Sequence, residues 1–174
     1  YASLHAKQSP TDKTRIAYYD VTNGKIKYAV SASGGNCTSS AYDCYAVDTV
    51  GIPPAFDLSM TVDAQGYPII AYMNASTDLG PTTLDIARPA AAYGLSVGNC
   101  GDVPPGMLFM AWQCSTVDRG SAYTDEAEYV AVSVGPNGLA AIAYSEYNTY
   151  DEERYLKVAQ QYHMVYLPLV LRSG

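Results

Sequence analysis

The chain has 174 residues and a net charge of −7, and its ten Lys and Arg residues are scattered along the sequence. Because these basic residues form no cluster in the sequence, binding to the phosphate backbone of a nucleic acid is not expected. The longest apolar run, at residues 165–171, is far shorter than the ~20 residues that a membrane-spanning helix needs. We therefore expect neither nucleic-acid binding nor a membrane span.

The first 50 residues are predicted to form four antiparallel strands. An alternating strand at 2–7 leads through a Ser-Pro-Thr-Asp turn into a second strand that carries Ile-Ala-Tyr at 16–18. The Asn-Gly pair at 23–24 is a strong hairpin signal and introduces a third strand. A fourth strand is expected near 42–47. The 17 tyrosines suit such sheets, because Tyr packs well on pleated, half-buried surfaces.

The same pattern returns twice along the chain. Ile-Ala-Tyr recurs at 70–72 and 142–144, and an apolar-x-apolar-Ala motif follows each of the three copies. Fixed-order self-similarity of this kind indicates a repeat architecture. The units are predicted at approximately 1–50, 51–118 and 119–174.

The later units repeat the strand order of the first. First strands are predicted at 57–63 and 129–134, and fourth strands near 109–117 and 163–171. No segment sustains helical periodicity over eleven residues. The predicted fold is therefore all-β, with three four-stranded antiparallel, blade-like repeats.

Four cysteines form two local pairs, Cys37 with Cys44 and Cys100 with Cys114. Their spacing is not that of a metal site, and only two histidines could assist. Two disulfides and an extracellular, oxidising compartment are predicted, while free core cysteines and a metal site are the weaker alternatives. No metal and no cofactor are expected. A start at Tyr1 is consistent with a processed, secreted form.

The repeated unit resembles a known family. The runs IAYYDVTNGKIKYAV and SMTVDAQGYPIIAYMN resemble a repeat family of secreted bacterial proteins, whose blades read S-L-x-x-D-x-x-G-x-P-x-I-A-Y-Y-D…L-K-Y-A. The tail VYLPLVLRSG is similar to the C-terminal ends of exported proteins of filamentous thermophilic bacteria. The resemblance implies β-propeller blades and secretion, and it supplies no catalytic residues. The third unit departs from the pattern, since it lacks the cysteine pair.

Three blades fall short of a closed propeller, which typically has four to eight. Open blade faces or strand edges are templates for another chain, so we expect a homo-oligomer or homopolymer: a dimer, a ring or a filament. The chain could instead belong to something longer. The apolar tail either completes the third unit or is donated to a neighbour. Its candidate assembly residues are Tyr162, Val165, Tyr166, Leu167, Leu169, Val170 and Leu171.

The leading functional prediction is an extracellular structural protein that self-assembles into a filament or tube, without catalysis. The alternative is a lectin-like β-propeller module that binds carbohydrate or protein, either by itself or as part of a larger propeller. Trp112 could stack on a sugar ring, although a lone Trp is more often a core anchor.

Candidate catalytic and metal-binding motifs are weak. A Gly-x-Ser-x-Gly match at 94–98, followed by Asp118 or Asp151 and then His163, has the residue order of a hydrolase. That motif requires a strand, a sharp turn and a helix, so a loop is expected instead. The acidic runs at 125–128 and 151–153 could hold Ca²⁺ but are more typical of solvated surface.

The remaining polar positions have simpler explanations. His5 and His163 lie in predicted strands and are expected to be packed or partly exposed. The aspartates of the two Cys-x-x-Val-Asp motifs, and the polar residues that follow each Ile-Ala-Tyr, are expected to end strands and cap turns. These residues are Asp48, Asp118, Asp20, Asn74 and Glu146.

Overall fold

The computed structural model describes residues 2–5, 13–38, 40–51, 57–75, 82–102, 111–121 and 124–160. Within these ranges the protein is all-β, with three separate antiparallel sheets that follow one another along the chain. We call these sheets blades 1, 2 and 3. No helix of the described residues has the length and apolar character needed to cross a membrane.

Each blade is a meander in which consecutive strands are neighbours. Blade 1 contains β1 (Ala2–His5), β2 (Arg15–Asp20), β3 (Lys25–Ser31) and β4 (Tyr42–Thr49). Blade 2 contains β5 (Leu58–Val62), β6 (Pro68–Ala75), β7 (Thr82–Pro89) and β8 (Trp112–Arg119), with a 3-10 helix (Ala90–Tyr93) between the last two. Blade 3 contains β9 (Thr124–Val134), β10 (Ala140–Asn148) and β11 (Glu153–Gln160).

This architecture confirms the predicted all-β fold of blade-like antiparallel repeats. The predicted start of β9 was five residues too late, because the register shifts after Tyr144 and lets the strand continue pairing back to Thr124. The fourth strand predicted for the third unit, at 163–171, lies outside the described residues.

Strand alternation explains how the blades pack. In blade 2, Ile70 and Tyr72 of the repeated tripeptide belong to a core shared with blade 1, whereas Ala71 between them belongs to a core shared with blade 3. In blade 3, Ile142 and Tyr144 likewise face blade 2. Successive side chains of a strand point to opposite faces, so one tripeptide serves two interfaces.

Two hydrophobic seams therefore hold the three blades together. The seam between blades 1 and 2 contains twelve buried residues: Ala17, Ile26, Tyr28, Val47, Val50, Leu58, Met60, Ile70, Tyr72, Ala87, Cys100 and Trp112. The seam between blades 2 and 3 contains nine: Ile69, Ala71, Met73, Leu84, Ile86, Val130, Ala140, Ile142 and Tyr144. The first strands of successive blades, β1, β5 and β9, lie side by side.

Two disulfides brace the loops that enter the fourth strands. Cys37 bonds to Cys44 with a Cα–Cα distance of 5.4 Å, and Cys100 bonds to Cys114 at 5.8 Å. The two predicted disulfides are thus present, and both join a loop to the strand that follows it.

The repeated Gly-Asn-Cys motif holds each of these loops against its strand. The Asn99 side chain accepts a hydrogen bond from the Cys114 amide at 2.7 Å and donates one to its carbonyl at 2.9 Å. Asn36 bonds to the Cys44 backbone in the same way. A Cβ added at Gly98 would lie 1.9 Å from the Trp112 carbonyl oxygen, so the close approach requires glycine.

Candidate functional site

Each seam carries the same tyrosine–aspartate hydrogen bond. The Tyr72 hydroxyl of blade 2 donates to Asp48 Oδ2 of blade 1 at 2.6 Å. One blade further on, the Tyr144 hydroxyl donates to Asp118 Oδ2, also at 2.6 Å. Both tyrosines end an Ile-Ala-Tyr motif and both aspartates end a Cys-x-x-Val-Asp motif. The repeated residues of the sequence therefore meet across the seams.

A β-bulge turns each aspartate toward the next blade. In blade 1 the register shifts after Ile26, so that Asp48 pairs with Ile26, a residue of the seam core. In blade 2 the register shifts after Leu84, which pairs with Asp118. Val47 already faces the seam, so strict alternation would point Asp48 away from it. The extra residue of the bulge reverses that direction.

The expectation that Asp48 and Asp118 simply end strands and cap turns is corrected by this geometry. One oxygen of each does accept a local hydrogen bond, from the backbone amides of Thr49 and Arg119. The other oxygen is used across the seam. Burial raises the pKa of Asp48, and the hydrogen bond from Tyr72 opposes that rise.

The turn-cap expectation is also corrected for two of the three polar residues that follow the tripeptides. Glu146 pairs with Lys157 at 2.5 Å, and the Asn74 amide donates to Asp85 Oδ2 at 2.8 Å. Both contacts cross from the second to the third strand of the blade. The Lys157 ammonium also reaches Asp118 Oδ2 at 3.2 Å, so it joins the seam network.

Asp20 does cap its turn as expected, and it has a second partner. It accepts a hydrogen bond from the Asn23 side chain at 2.7 Å within the hairpin. It also pairs with the Lys27 ammonium at 2.6 Å. Lys27, followed by Asn23, lowers the pKa of Asp20 to about 2.

A serine hydroxyl provides a second repeated contact across each seam. Ser3 Oγ of blade 1 accepts a hydrogen bond from the Met60 amide at 3.0 Å. Ser59 Oγ of blade 2 accepts one from the Val132 amide at 3.1 Å. Both described seams thus use a serine and a bulged aspartate of the earlier blade, and in the second seam Asp57 Oδ2 also accepts a hydrogen bond from the Val130 amide at 2.8 Å.

The outer face of blade 1, on the side away from blade 2, has the composition of a seam face. Leu4 pairs with Ile16 as Met60 pairs with Ile70 in blade 2. Leu4 is 62% exposed, whereas Met60 is 7% exposed. Tyr18 occupies the position of Tyr72, and its hydroxyl lies 4.0 Å from the Cys44 sulfur. This face therefore presents the residues that blade 2 turns toward its preceding blade, and no preceding blade packs against them among the described residues.

The outer face of blade 3, on the side away from blade 2, is different. Ala131 pairs with Ala143 at the position where Ser59 pairs with Ala71 in blade 2, so the serine hydroxyl is missing. A depression of about 310 Å³ opens where this face meets the edge of the seam with blade 2. It is lined by Asp57, Tyr129, Val130, Ala131, Ala143, Tyr144, Ser145 and Leu156.

An arginine stacks between two tyrosines beside this depression. The Arg154 guanidinium carbon lies 5.8 Å from the ring centre of Tyr129 and 5.1 Å from that of Tyr147. Tyr129 is 63% exposed, so much of its ring is available to a ligand. We call Tyr129, Tyr147 and Arg154 the blade 3 cluster.

The weak catalytic motif does not form a nucleophile elbow. Residues 94–98 follow the four-residue 3-10 helix as turn and bend, and the described chain continues to β8 without a helix after the serine. Leu95 and Val97 beside Ser96 are exposed. His163 and the tail residues 162–171 lie outside the described residues, as does the side chain of His5.

Trp112 is a core anchor, in agreement with the simpler of the two expectations for it. Its ring is 4% exposed and meets Tyr28 edge-on at 5.4 Å. It is therefore closed to a sugar. The described residues contain no group of three or more His, Cys, Asp or Glu suited to a metal ion.

Sequence reasoning missed the blade 3 cluster. Tyr147 and Arg154 are directly opposite each other on β10 and β11, so a register drawn from the hairpin would pair them. The position of Tyr129 next to them could not be predicted from a regular register, because the pairing of β9 with β10 shifts after Tyr144.

Comparisons with known proteins give a structural likeness without a sequence match. No family model and no curated protein matches the sequence. Among solved structures, the chain is similar to a fucose lectin from Kordia zhangzhouensis in complex with methyl-fucoside, at 14% identity and a TM-score of 0.49. The match covers 96% of this chain and 100% of the lectin chain.

Proposed function

We propose that this chain is an extracellular, non-catalytic carbohydrate-binding module of the β-propeller type, whose binding surface is the outer face of blade 3. One observation carries the proposal: the exposed blade 3 cluster stands beside an apolar depression. The two disulfides suit an oxidising compartment.

The chemistry of this face suits a sugar, which has apolar C–H faces and a rim of hydroxyls. Aromatic rings offer an apolar surface together with a polar tip, as Tyr129 and Tyr147 do here. The Arg154 guanidinium carries several donors in a fixed fork, and its stacking between two rings limits its rotamers. The depression of about 310 Å³ is at the lower end of ligand pockets, which measure roughly 300–1,000 Å³.

The same face is poorly suited to receive another blade. Both described seams use a serine and an aspartate of the earlier blade. Blade 3 offers Ala131 in place of the serine, and residues 161–174 contain no acidic residue that could replace Asp118. We therefore assign this face to a ligand.

Binding to glycans tests the proposal. A panel of immobilised glycans, with methyl-fucoside as one member, identifies a sugar whose affinity is then measured by isothermal titration calorimetry. Arg154→Ala is expected to weaken binding about tenfold or more, which corresponds to roughly 1.4 kcal/mol. Tyr150→Ala is the matched control, since it removes a tyrosine that is 85% exposed and outside the cluster. Equal losses in both variants, or no retained glycan, would contradict the proposal.

A second candidate function is assembly through the outer face of blade 1. Its exposed Leu4, together with Ile16 and Tyr18, repeats the seam residues of blades 2 and 3. We infer that it docks a further blade of the same repeat, one that supplies a serine hydroxyl and a bulged aspartate. In the predicted head-to-tail filament, blade 3 of one chain would meet this face of the next chain, and blade 3 would supply neither the serine hydroxyl nor the aspartate. The predicted donation of a strand involves the C-terminal tail, which lies outside the described residues.

Sedimentation and electron microscopy of the full chain test this second candidate. The wild-type chain is expected to stay largely monomeric at micromolar concentration. Ala131→Ser restores one missing acceptor and is expected to strengthen self-association by about two- to tenfold, the value of one net hydrogen bond. Abundant wild-type filaments would instead favour the predicted polymer.

A further inference from the structure

Two carboxylates of the seam between blades 1 and 2, Asp48 and Asp85, have no positively charged partner among the described residues. Asp85 lies directly opposite Tyr72 on the neighbouring strand, and Tyr72 in turn bonds to Asp48. Among the residues that the structure describes, no Lys or Arg is paired with Asp48 or Asp85. We call these two residues the carboxylate pair.

The next seam shows what the same position holds elsewhere in the molecule. Lys157 lies opposite Tyr144 as Asp85 lies opposite Tyr72. Its ammonium contacts Asp118 at 3.2 Å and Glu146 at 2.5 Å. The repeat therefore places a cation between its carboxylates in the second seam, and a carboxylate at that position in the first.

Asp85 is also incompletely satisfied. It is 7% exposed, its Oδ2 accepts the Asn74 amide, and its Oδ1 is buried without a hydrogen-bond partner. A buried ionised carboxylate is costly unless it is paired or binds a metal. Asp85 faces blade 1, since Leu84 and Ile86 on either side of it face blade 3.

We propose that the carboxylate pair binds a small metal cation, with Ca²⁺ as the first candidate, at the position that the Lys157 ammonium occupies in the next seam. Calcium prefers carboxylate, amide and water oxygens. The carboxylate oxygens of Asp48 and Asp85 supply the charge, while the Asn74 carbonyl and the Tyr72 hydroxyl are the neutral oxygens beside them.

We expect the ion to enter the site on the side of Asp48. Asp48 is half-buried and is followed by exposed Thr49, the last residue of β4. A hydrated ion can therefore approach along the edge of the seam and keep part of its water. With only two carboxylates the affinity is expected to be modest, in the range of extracellular calcium modules, roughly 10⁻⁴–10⁻³ M.

Calcium titration of the chelator-treated full chain tests the proposal. The wild-type protein is expected to bind one calcium ion by calorimetry, and its Tm to rise by roughly 5 °C at calcium well above the dissociation constant. Asp85→Asn removes the charge at constant shape and is expected to abolish both effects. Asp85→Lys imitates the second seam and is expected to be stable without calcium.

Asp151→Asn is the matched control, because Asp151 belongs to the exposed acidic turn of blade 3. It is expected to keep the calcium-dependent rise in Tm. If Asp85→Asn does not fold, Asp48→Asn at the seam edge takes its place. The proposal is overturned if calcium leaves the wild-type Tm unchanged, or if the rise survives in the seam variants and disappears in Asp151→Asn.

Discussion

Tyr18 and Tyr72 occupy the same position in two blades, but their surroundings differ. Tyr72 is fully buried and donates to Asp48 of the preceding blade. Burial, followed by the negative charge of Asp48, raises the pKa of the Tyr72 hydroxyl well above its usual value. Tyr18 lies on the outer face of blade 1, where its hydroxyl is 4.0 Å from the Cys44 sulfur. Comparing the two residues therefore distinguishes the stability that the seam hydrogen bond contributes from the stability that a tyrosine contributes at this strand position.

Replacing these tyrosines by phenylalanine measures the seam hydrogen bond. Tyr72→Phe is expected to lower the free energy of unfolding by about 1.5–3 kcal/mol, because a hydrogen bond to a buried carboxylate is lost. Tyr18→Phe is expected to change it by less than about 0.5 kcal/mol, as at an ordinary surface position. Urea denaturation of both variants gives the two values. Similar losses in both would show that the Asp48 contact adds little.

At the scale of single residues, the sequence indicates which residues meet in the seams, but it does not indicate the direction in which their side chains point. The repetition of Ile-Ala-Tyr and Cys-x-x-Val-Asp along the chain marks the residues that meet in the seams. Their contact could not be predicted, because the bulges that turn Asp48 and Asp118 into the seams leave no signal in the alternation of the strand.

Among the strands, the hairpin of β2 and β3 is held by a half-buried ion pair. Asp20 pairs with Lys27 across the two strands and with Asn23 in the turn. Because the pKa of Asp20 in the folded protein is about 2, below its ordinary value of 3.8, its ionised form stabilises the fold. That stabilisation is complete above pH 3.8 and is lost as the pH falls toward 2.

The Asp20→Asn variant tests this pH dependence. Its free energy of unfolding is expected to lie below that of the wild type at about pH 6 and to approach it as the pH falls from about 4 to about 2. The other carboxylates contribute equally to the variant and to the wild type, so their effects cancel in the difference between the two free energies of unfolding. This includes Asp48, whose raised pKa changes stability with pH in the opposite direction. A difference that stays constant over this whole pH range would rule out this role for Asp20.

At the scale of strands most of the fold was predictable. Alternating side chains and Asn, Gly, Pro and Asp turns located each described strand within a few residues, since these signals act locally. The start of β9 was the clearest error, because it depends on pairing with β10 across a register shift. The two loop disulfides followed from matching local contexts in the first two units.

In the molecule as a whole, the two exposed ends differ in chemistry. Blade 1 presents seam residues, including exposed Leu4, and no described residue supplies them with a serine and an aspartate across a seam. Blade 3 presents the stacked Arg154 and an apolar depression instead. The sequence predicted that open faces would exist, but it could not assign them different roles, since tyrosines occur in every unit.

The outer face of blade 3 is the proposed carbohydrate-binding surface of this chain. Two-dimensional ¹H–¹⁵N NMR of the full chain, titrated with the sugar selected on the glycan panel, maps the residues that contact the sugar. We expect the backbone amides of Ser145, Arg154 and Leu156 to shift in a saturable way, while those of blade 1 stay in place. Shifts confined to blade 1, or no shifts at a saturating sugar concentration, would contradict the claim.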